Sequence, residues 1–516
     1  MNDNNISYWI DTTQDTNFSV LDNDITVDVA IIGGGLSGLM AAYFLKKEGI
    51  NVAILEAMKL AKATTGNTTA KITSQHNLIY DKIKKSMSIE MAKQYADANE
   101  SAIKTISDII TMDKIDCDFE KKDAYVYTQE KKYVKKIEKE VDTALSVGID
   151  AEYLEQTPLP FSVLAAMRFT NQAQFHPIKF ALSIINSLAN SGALIFEGTR
   201  AVDIKEGNTC QVITDRGKRV TAKHIIITSH YPFYDGKGMY FTRMHAVKSY
   251  VIGVTIQESF PDGMFITAEN VPGRSLRYHP IPEGQLVLIG GEHHKTGQGG
   301  STMVHYDNLR TFAKDTFTVK KELYRWSAQD YTTLDNIPYV GRLTSDTPNI
   351  YVATGFKKWG MTNSVASAMI IKDLILKGES KWQDVYNPQR GNIVASAATF
   401  AVQNADVAYQ LISGKLERPD DIGIEKGEGK VVEYKGKRTG VYKDAQGNLH
   451  LLDTTCTHMG CELQWNDAEK TWDCPCHGSR FSYTGDIIEG PALYPLKHPD
   501  EGRNIVEPNV FKDKEK

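Results

Sequence analysis

Two short blocks near the end of the chain combine cysteine and histidine at spacings suited to a metal centre. The first reads CTHMGC from Cys456, and the second reads CPCHGS from Cys474. His458 follows the first cysteine by two residues, and His477 follows the second by three. Two thiolates and two imidazoles can bind zinc, or bind a [2Fe-2S] cluster with the cysteines on one iron and the histidines on the other. The ligand types alone leave both centres open.

Each block also carries a cysteine that a four-ligand zinc site does not need, Cys461 in the first and Cys476 in the second. With these cysteines the blocks resemble the Rieske proteins of the cytochrome bc complexes, in which such a pair forms a disulfide. The resemblance implies cysteine ligands on the inner iron and histidine ligands on the outer iron. The implied assignments are the metal ligands Cys456, His458, Cys474 and His477, and the disulfide pair Cys461 and Cys476.

Residues beside the ligands bear on the reduction potential that this resemblance implies. Ser479 matches the family serine that donates a hydrogen bond to a bridging sulfide and stabilises the reduced cluster. Phe481 stands where high-potential members have tyrosine, so one hydroxyl donor is lost. Gly490 and Pro491 stand where the family has a proline-containing loop over the cluster. We expect a potential below that of the respiratory proteins and above that of plant-type ferredoxins.

A glycine-rich turn near the start of the chain has the spacing of a dinucleotide-binding motif. The apolar run VDVAII precedes G-x-G-x-x-G, LMAAYFLKKEG continues with helical spacing, and NVAILE then ends in an acid. The glycines allow a pyrophosphate to approach the backbone at a helix N-terminus, and the acid would accept hydrogen bonds from a ribose. A similar fold unit without a nucleotide is the alternative. The predicted contacts are Gly33, Gly35, Leu36, Ser37, Gly38 and Glu56.

The glycine motif does not distinguish NAD from FAD, but the residues that follow favour FAD. Residues 25–380 resemble the flavoprotein superfamily of D-amino-acid oxidase, glycine oxidase and sarcosine oxidase, in which KATTGNTTAKITSQH corresponds to a segment beside the flavin. A polar turn that caps the next helix is the alternative. No histidine or cysteine occurs in 65–69, so we expect non-covalent FAD. The remaining expected contacts are Thr65, Gly66, Asn67, Thr68, Thr69, Val202, Thr228, Gly355, Phe356, Gly360, Met361 and Thr362.

The two resemblances together imply an α/β plus β architecture. We expect a Rossmann-like FAD-binding domain with an inserted β-sheet substrate domain, followed by a small all-β Rieske domain. The expected boundaries are 1–385 for the FAD-dependent oxidoreductase domain, 386–420 for a helical linker and 421–516 for the Rieske domain. Within the first domain, the nucleotide-binding parts are expected at 25–80, 160–235 and 331–380, and the substrate parts at 85–160 and 236–330.

Substrate residues are expected in the β-patterned region 236–330. Arg277 and His279, within the sequence RYHP, are the preferred catalytic candidates, and ordinary sheet residues are the alternative. Lys357 and Lys358 follow the second glycine turn and could lie near the reacting face of the flavin, with solvated lysines as the alternative. No general base can be fixed from these residues.

The predicted cofactors define the expected reaction. FAD accepts two electrons from a substrate and a [2Fe-2S] cluster carries one, so the pair predicts a two-to-one electron converter. The superfamily resemblance implies that a small amine, amino acid or N-methylated substrate is oxidised at FAD and that the electrons leave singly to a soluble carrier. Alternatives are an oxidase that produces hydrogen peroxide, a carrier-driven reductase and a non-enzymatic redox sensor.

Length and composition narrow the remaining possibilities. A chain of 516 residues is too long for one core, and its net charge of −5 without a long basic run argues against a nucleic-acid partner. No apolar stretch approaches the roughly 18 residues that cross a membrane, and the N-terminus is polar. We therefore expect a cytoplasmic protein without a membrane span. The substrate and the oligomeric state stay open.

Overall fold

The computed structural model describes residues 5–235, 238–390, 393–416 and 423–501. Parts of the predicted linker and Rieske domain, residues 417–422 and 502–516, lie outside the described residues. The described helices are α1 (Tyr8–Asp11), α2 (Leu36–Lys47), α3 (Tyr80–Ser86), α4 (Ile89–Met112), α5 (Lys131–Ser146), α6 (Pro177–Asn190), α7 (Met303–Thr316), α8 (Gly360–Lys377), α9 (Gln383–Tyr386) and α10 (Ile393–Leu416), with 3-10 turns at Thr64–Asn67 and Tyr240–Thr242.

The strands fall into two large and two small sheets. They are β1 (Ile25–Ile32), β2 (Val52–Leu55), β3 (Lys71–Ile72), β4 (Glu120–Thr128), β5 (Ala151–Leu154), β6 (Ala165–Gln174), β7 (Leu194–Phe196), β8 (Ala201–Lys205), β9 (Cys210–Thr214), β10 (Arg219–Ile227), β11 (Met244–Ile256), β12 (Met264–Thr267), β13 (Arg274–Ile281), β14 (Gly284–Lys295), β15 (Val319–Thr333), β16 (Tyr339–Arg342), β17 (Ile350–Thr354), β18 (Gly429–Tyr434), β19 (Lys437–Lys443), β20 (Leu449–Asp453), β21 (Gln464–Asn466), β22 (Thr471–Asp473), β23 (Arg480–Ser482) and β24 (Ile487–Glu489).

The first large sheet is the Rossmann-like sheet that the glycine motif predicts. Its main order is β16-β17-β10-β1-β2-β7, and β8 and β9 extend it beside β10. The strands from β17 to β7 pair in parallel. Parallel strands are covered on both faces, which explains why β1 and β2 are nearly continuous apolar runs. Helix α2 packs against α8, so both glycine turns lie at the same edge of the sheet. The predicted fold class is confirmed.

The second large sheet covers the same edge. Its order is β15-β11-β14-β13-β12-β4-β6-β3, with β5 beside β6. The expected substrate region supplies most of these strands. Strands β3 and β6, by contrast, fall in segments that the sequence assigns to the nucleotide-binding part. Their short apolar and polar stretches do not indicate which sheet they join, because β6 is placed by pairing with β4 and β3 by pairing with β6.

The C-terminal part of the described chain contains two small antiparallel sheets, β18-β19-β20 and β21-β22-β23-β24. Leu463, Trp472 and Phe481 form their shared core, and Val407 and Leu411 of α10 pack against it. Helix α10 also reaches the second large sheet, because Lys295 Nζ lies 2.7 Å from a carboxylate oxygen of Asp406. The helix is therefore in contact with both halves of the molecule.

None of the helices in the described part of the chain combines the length and the apolar character needed to cross a membrane.

Candidate functional site

A cavity of about 290 Å³ lies between the two large sheets, where β1 and β2 end. Residues of both sheets line it, and so does a loop of the small C-terminal sheets. Thirteen of the predicted flavin contacts lie on this cavity. They are Gly33, Gly35, Leu36, Ser37, Glu56, Thr65, Asn67, Thr68, Thr69, Thr228, Phe356, Gly360 and Met361.

The backbone of the first glycine turn makes the close approach that a pyrophosphate needs. Gly33 has φ +106°, and a Cβ there would lie 2.6 Å from the carbonyl oxygen of Thr228. A Cβ on Gly38 would lie only 2.0 Å from the carbonyl oxygen of Gly33. Side chains at these positions would block the turn and the entry to α2, so the cradle fits a dinucleotide bound at the helix N-terminus.

Glu56 stands at the end of β2, as the motif predicts. Its carboxylate accepts hydrogen bonds of 2.8 Å from the backbone N–H groups of Gly34 and Met58. Burial raises the pKa of this carboxyl, and the two backbone hydrogen bonds offset part of that effect. Each carboxylate oxygen can accept a further hydrogen bond, so Glu56 can also bind ribose hydroxyls.

Five of the predicted flavin contacts do not line the cavity: Gly38, Gly66, Val202, Gly355 and Thr362. Gly38 serves the close packing of the turn described above. Thr362 Oγ1 donates a hydrogen bond of 2.9 Å to the carbonyl oxygen of Thr73 and lies 3.1 Å from His76 Nε2. Ala201, the neighbour of Val202, does line the cavity. Gly38 and Thr362 therefore support the site from behind its lining.

The catalytic candidates from the sequence lie elsewhere. Arg277 is fully buried and donates a hydrogen bond of 3.0 Å to the carbonyl oxygen of Ala70, and burial lowers its pKa to about 9. The His279 ring packs against Trp9 at 4.9 Å, and its Nε2 lies 3.5 Å from a carboxylate oxygen of Asp118. Neither residue is among those that line the cavity, so the structure does not bring them to the flavin contacts.

Other charged residues of the cavity were not singled out by sequence. Lys71 Nζ donates to the Phe265 carbonyl at 2.9 Å and to Ser275 Oγ at 2.7 Å, and burial lowers its pKa to about 7. Burial raises the pKa of the Asp330 carboxyl, also in the lining, to about 7. Each comes from a different strand, so only the tertiary fold brings them together.

Lys358, for which the sequence leaves open a position near the flavin and a solvated one, lies in the cavity lining and is partly buried. Its Nζ contacts His293 Nε2, and His293 also lines the cavity. Burial lowers the pKa of Lys358 well below its ordinary value, and the nearby charge of Lys357 lowers it further. His293 Nδ1 is buried without a hydrogen-bond partner among the described residues. This pair therefore offers both an amine and an unused imidazole nitrogen to a ligand.

The second candidate site is formed by the two cysteine and histidine blocks. Cys456 and Cys474 are buried and free of disulfides. The His458 and His477 rings stand 5.1 Å apart at 90°, and both Nδ1 atoms are buried without hydrogen-bond partners among the described residues. Two thiols and two unused imidazole nitrogens facing one another fit a [2Fe-2S] cluster ligated by two cysteines and two histidines.

The remaining two cysteines of the blocks are bonded to each other. Cys461 and Cys476 form a disulfide with their Cα atoms 6.5 Å apart, which confirms the predicted pairing. Their sulfur atoms lie within 4.8 Å of Cys474 Sγ. Disulfide sulfurs are not thiolates, so this trio is not a separate metal site but a covalent link beside one cluster ligand.

Ser479 and the proline loop contact each other near the predicted cluster ligands. Ser479 is buried, and its Oγ accepts a hydrogen bond of 3.0 Å from the backbone N–H of Ala492. The Phe481 ring is buried in the small core, so it offers no hydroxyl to the cluster. The proline loop at 488–493 reaches the flavin cavity. Its lining residues are Ile488, Glu489, Gly490, Pro491, Ala492 and Leu493.

Comparisons with known proteins support both predicted cofactors. A family model for FAD dependent oxidoreductases matches residues 28–374, and a model for the Rieske [2Fe-2S] domain matches residues 415–500. YhfW of Bacillus subtilis (strain 168), named as a Rieske 2Fe-2S iron-sulfur protein, is 42% identical over 496 residues, covering 96% of this chain and 97% of that protein.

Two further relatives match the flavin part alone. The gamma-glutamylputrescine oxidoreductase of Escherichia coli (strain K12) is 23% identical, covering 72% of this chain and 88% of that protein. The crystal structure of glycine oxidase from Geobacillus kaustophilus superposes with a TM-score of 0.59 at 18% identity, covering 71% of this chain and 99% of that chain. The chain belongs to the FAD dependent oxidoreductase family and carries a C-terminal Rieske [2Fe-2S] domain.

Proposed function

We propose that the enzyme oxidises a C–N bond of a small amine, amino acid or N-methylated compound at FAD, and that the electrons leave singly through the Rieske cluster to an external soluble carrier. One observation carries this proposal. Residues 488–493, the proline loop of the Rieske domain, line the same cavity as the predicted flavin contacts. A flavin at the predicted contacts and a cluster at the cysteine and histidine blocks would then be neighbours within one chain.

The residues of the cavity have separable tasks in this reaction. When bound, FAD accepts two electrons from the substrate and the cluster transfers them one at a time. The first glycine turn binds the pyrophosphate, and Glu56 binds the ribose. Helix α8 begins at Gly360 beside the cavity, so its N-terminus would stabilise the negative charge that a reduced flavin carries.

The charged lining suits a substrate that carries an amine. Asp330 offers a carboxylate that can accept a hydrogen bond or a proton from a substrate ammonium group. Lys358 with His293 offers a donor group on the same cavity for an anionic or carbonyl substituent. The two relatives of the flavin part are named for gamma-glutamylputrescine and for glycine, and both compounds contain C–N bonds.

Three parts of the proposal rest on the sequence. We propose that FAD is bound non-covalently at the predicted contacts. We also propose that the oxidoreductase domain ends near residue 385 and that the helical linker ends near residue 420. The catalytic roles of Arg277 and His279 stay predictions without support from the cavity. The cytoplasmic location also stays a prediction.

The first test is to establish the two centres and their reduction. Protein purified without oxygen is analysed for flavin, iron, sulfide and zinc, and EPR spectra are recorded before and after dithionite. Amines, amino acids and N-methyl amino acids are then mixed with it under anaerobic conditions. We expect the flavin absorbance to bleach with a true substrate and a Rieske-type EPR signal to follow. Zinc without an EPR signal would refute the electron route.

A ligand variant separates the competing activities. In His458→Ala the cluster is lost, so we expect substrate still to reduce the flavin while an artificial one-electron acceptor is no longer reduced through the cluster. His498→Ala, an exposed histidine of the same domain, is the matched control. Stoichiometric hydrogen peroxide from both variants would identify an oxidase. A protein whose flavin no tested compound reduces, but whose cluster responds to oxidant, would be a sensor. Flavin reduction only by a reduced carrier would identify a reductase.

A further inference from the structure

Strand β15 separates the flavin cavity from the Rieske domain. One face of the strand lines the cavity, and the other contacts the Rieske domain. Ala328 and Asp330 line the cavity. Gln329, between them, turns to the other side and donates a hydrogen bond of 2.8 Å from Nε2 to the carbonyl oxygen of Gly478. Successive side chains of a strand point to opposite faces, so a single strand forms the wall between the two centres.

Tyr331 is the next residue of this wall and reaches both sides. It lines the cavity, is only 2% exposed, and its hydroxyl lies 2.8 Å from the carbonyl oxygen of Gly490 and 3.2 Å from that of His477. His477 is a cluster ligand, and Gly490 belongs to the proline loop. One hydroxyl therefore binds two separate loops around the cluster to the wall of the flavin cavity.

Buried charges extend this contact. Lys248, on the neighbouring strand β11, is fully buried, contacts the Glu469 carboxylate and lies 3.9 Å from that of Asp473. Arg480 Nε lies 3.1 Å from the Asp473 carboxylate within the Rieske domain. If the domain moved away, Lys248 would lose both acidic partners, so these buried ion-pair contacts exist only in the docked arrangement. Replacing Lys248 while the domain stays docked would leave the carboxylates with less counter-charge, which is unfavourable.

We propose that Tyr331 is a positioning residue that fixes the cluster loops on the cavity wall, so that the Rieske domain stays docked throughout turnover instead of swinging between flavin and carrier. The passage of electrons from flavin to cluster rests on the function proposed above. The docking itself does not, because its contacts are present in the chain without substrate. A carrier must then approach a domain that is already held in place.

The matched pair of variants is Tyr331→Phe and Tyr231→Phe. The two rings are neighbours, 5.1 Å apart, and both line the cavity. The Tyr231 hydroxyl is buried without a hydrogen-bond partner among the described residues. Each variant thus removes one buried hydroxyl from the same place, but only Tyr331→Phe removes hydrogen bonds to the cluster loops.

The first readout is hydrogen–deuterium exchange of the full-length holoenzyme without substrate. We expect Tyr331→Phe to speed exchange in residues 474–479 and 488–493 roughly tenfold, the change expected for one lost buried hydrogen bond. Tyr231→Phe should leave these segments unchanged. Equal exchange in both variants, or unprotected segments already in the parent protein, would overturn the proposal. If Tyr331→Phe does not fold, Gln329→Met tests the adjacent bond to Gly478 in the same way.

The second readout is the reduction potential of the cluster, measured by EPR during a redox titration. The Tyr331 hydroxyl donates to the carbonyl oxygen of Gly490 at 2.8 Å and lies 3.2 Å from that of the predicted ligand His477. A donor this close to the cluster loops favours the reduced, more negative cluster. We expect a lower potential in Tyr331→Phe and an unchanged one in Tyr231→Phe. A purely structural role would leave the potential unmoved. Neither readout needs a substrate, so failure of the amine screen would refute the proposed function and leave the docking result standing.

Discussion

At the scale of single residues, the Asp330 carboxyl connects the chemistry of the cavity to pH. Burial raises its pKa from 3.8 to about 7, and the nearby Lys358 charge offsets part of this rise. The ionised carboxylate is the form that accepts a proton or hydrogen bond from a substrate ammonium. We therefore expect flavin reduction by substrate to speed up as the pH rises through about 7. Asp330→Asn should be slower and lose this pH dependence, as measured by anaerobic stopped-flow absorbance.

The raised pKa of Asp330 also predicts how the stability of the protein changes with pH. A carboxyl with a raised pKa binds more protons in the folded state, so its contribution to stability is greatest below pH 3.8 and declines as the pH rises to about 7. Asp330→Asn should not show this decline, and its stability relative to the parent should rise with pH in chemical denaturation. A parallel pH dependence in both proteins would contradict the raised pKa.

The Cys461–Cys476 disulfide is expected to stabilise the Rieske domain. The two cysteines are 15 residues apart, and closing a loop of that length restricts the unfolded chain. Cys461→Ser combined with Cys476→Ser should lower the free energy of unfolding of the Rieske domain by about 3 kcal/mol. Thermal loss of the cluster absorbance measures the effect. Cys210→Ala, which removes a free buried thiol of the flavin domain, should not change the thermal stability of the cluster.

At the scale of elements, the turn between β1 and α2 depends on Gly38. A Cβ at this position would lie 2.0 Å from the Gly33 carbonyl oxygen, and the obstacle is backbone, which cannot move away without displacing the turn. We expect Gly38→Ala to lose most of its FAD during gel filtration, as measured by the ratio of flavin to protein absorbance. Gly423→Ala has no atom within 4 Å of the added methyl group and should keep its flavin. Full flavin content in both variants would refute the assignment of the turn.

Local motifs could be predicted from the sequence, whereas contacts between distant elements could not. The glycine turn, Glu56 and the cysteine and histidine blocks are local patterns. The structure places the turn and Glu56 on one cavity and the two histidine rings beside each other, and their roles as cofactor contacts and ligands stay predictions. Strand β6 was expected beside the nucleotide, but its partner β4 places it in the other sheet, and no local pattern encodes that pairing. Tyr331 was missed for the same reason, since its partners His477 and Gly490 lie about 150 residues further along the chain.

Arg277 is the opposite case, because the sequence favours it as a catalytic candidate and the cavity lining does not include it. An arginine and a histidine flanking a tyrosine on a predicted strand look like substrate ligands, yet the strand turns Arg277 toward the interior beside Ala70. The alternation of a strand gives two possible faces, and the sequence around β13 is mixed enough that neither face is obvious. Tertiary packing decided which side chains reached the cavity.

At the scale of the whole molecule, the buried charges between the two large parts determine whether they behave as one unit. Burial alone would raise the pKa values of Glu469 and Asp473, but Arg480 and Lys248 hold both below their ordinary values of 4.5 and 3.8. Carboxyls with lowered pKa values stabilise the folded state above those ordinary values, and their contribution is lost as the pH falls through the lowered ones. The docked state should therefore weaken in acid.

The variant Lys248→Met tests whether the buried charges join the flavin and Rieske parts into one unit. The substitution keeps the length of the side chain but leaves the Glu469 and Asp473 carboxylates with Arg480 as their main counter-charge, which should destabilise the interface by about 3 to 5 kcal/mol. We expect calorimetry to resolve separate transitions for the flavin and Rieske parts, in place of a single one in the parent protein. Lys104→Met removes an exposed ion pair with Asp108, which contributes little, and should leave the profile unchanged. A single unshifted transition in Lys248→Met would mean that the buried charges do not join the two parts.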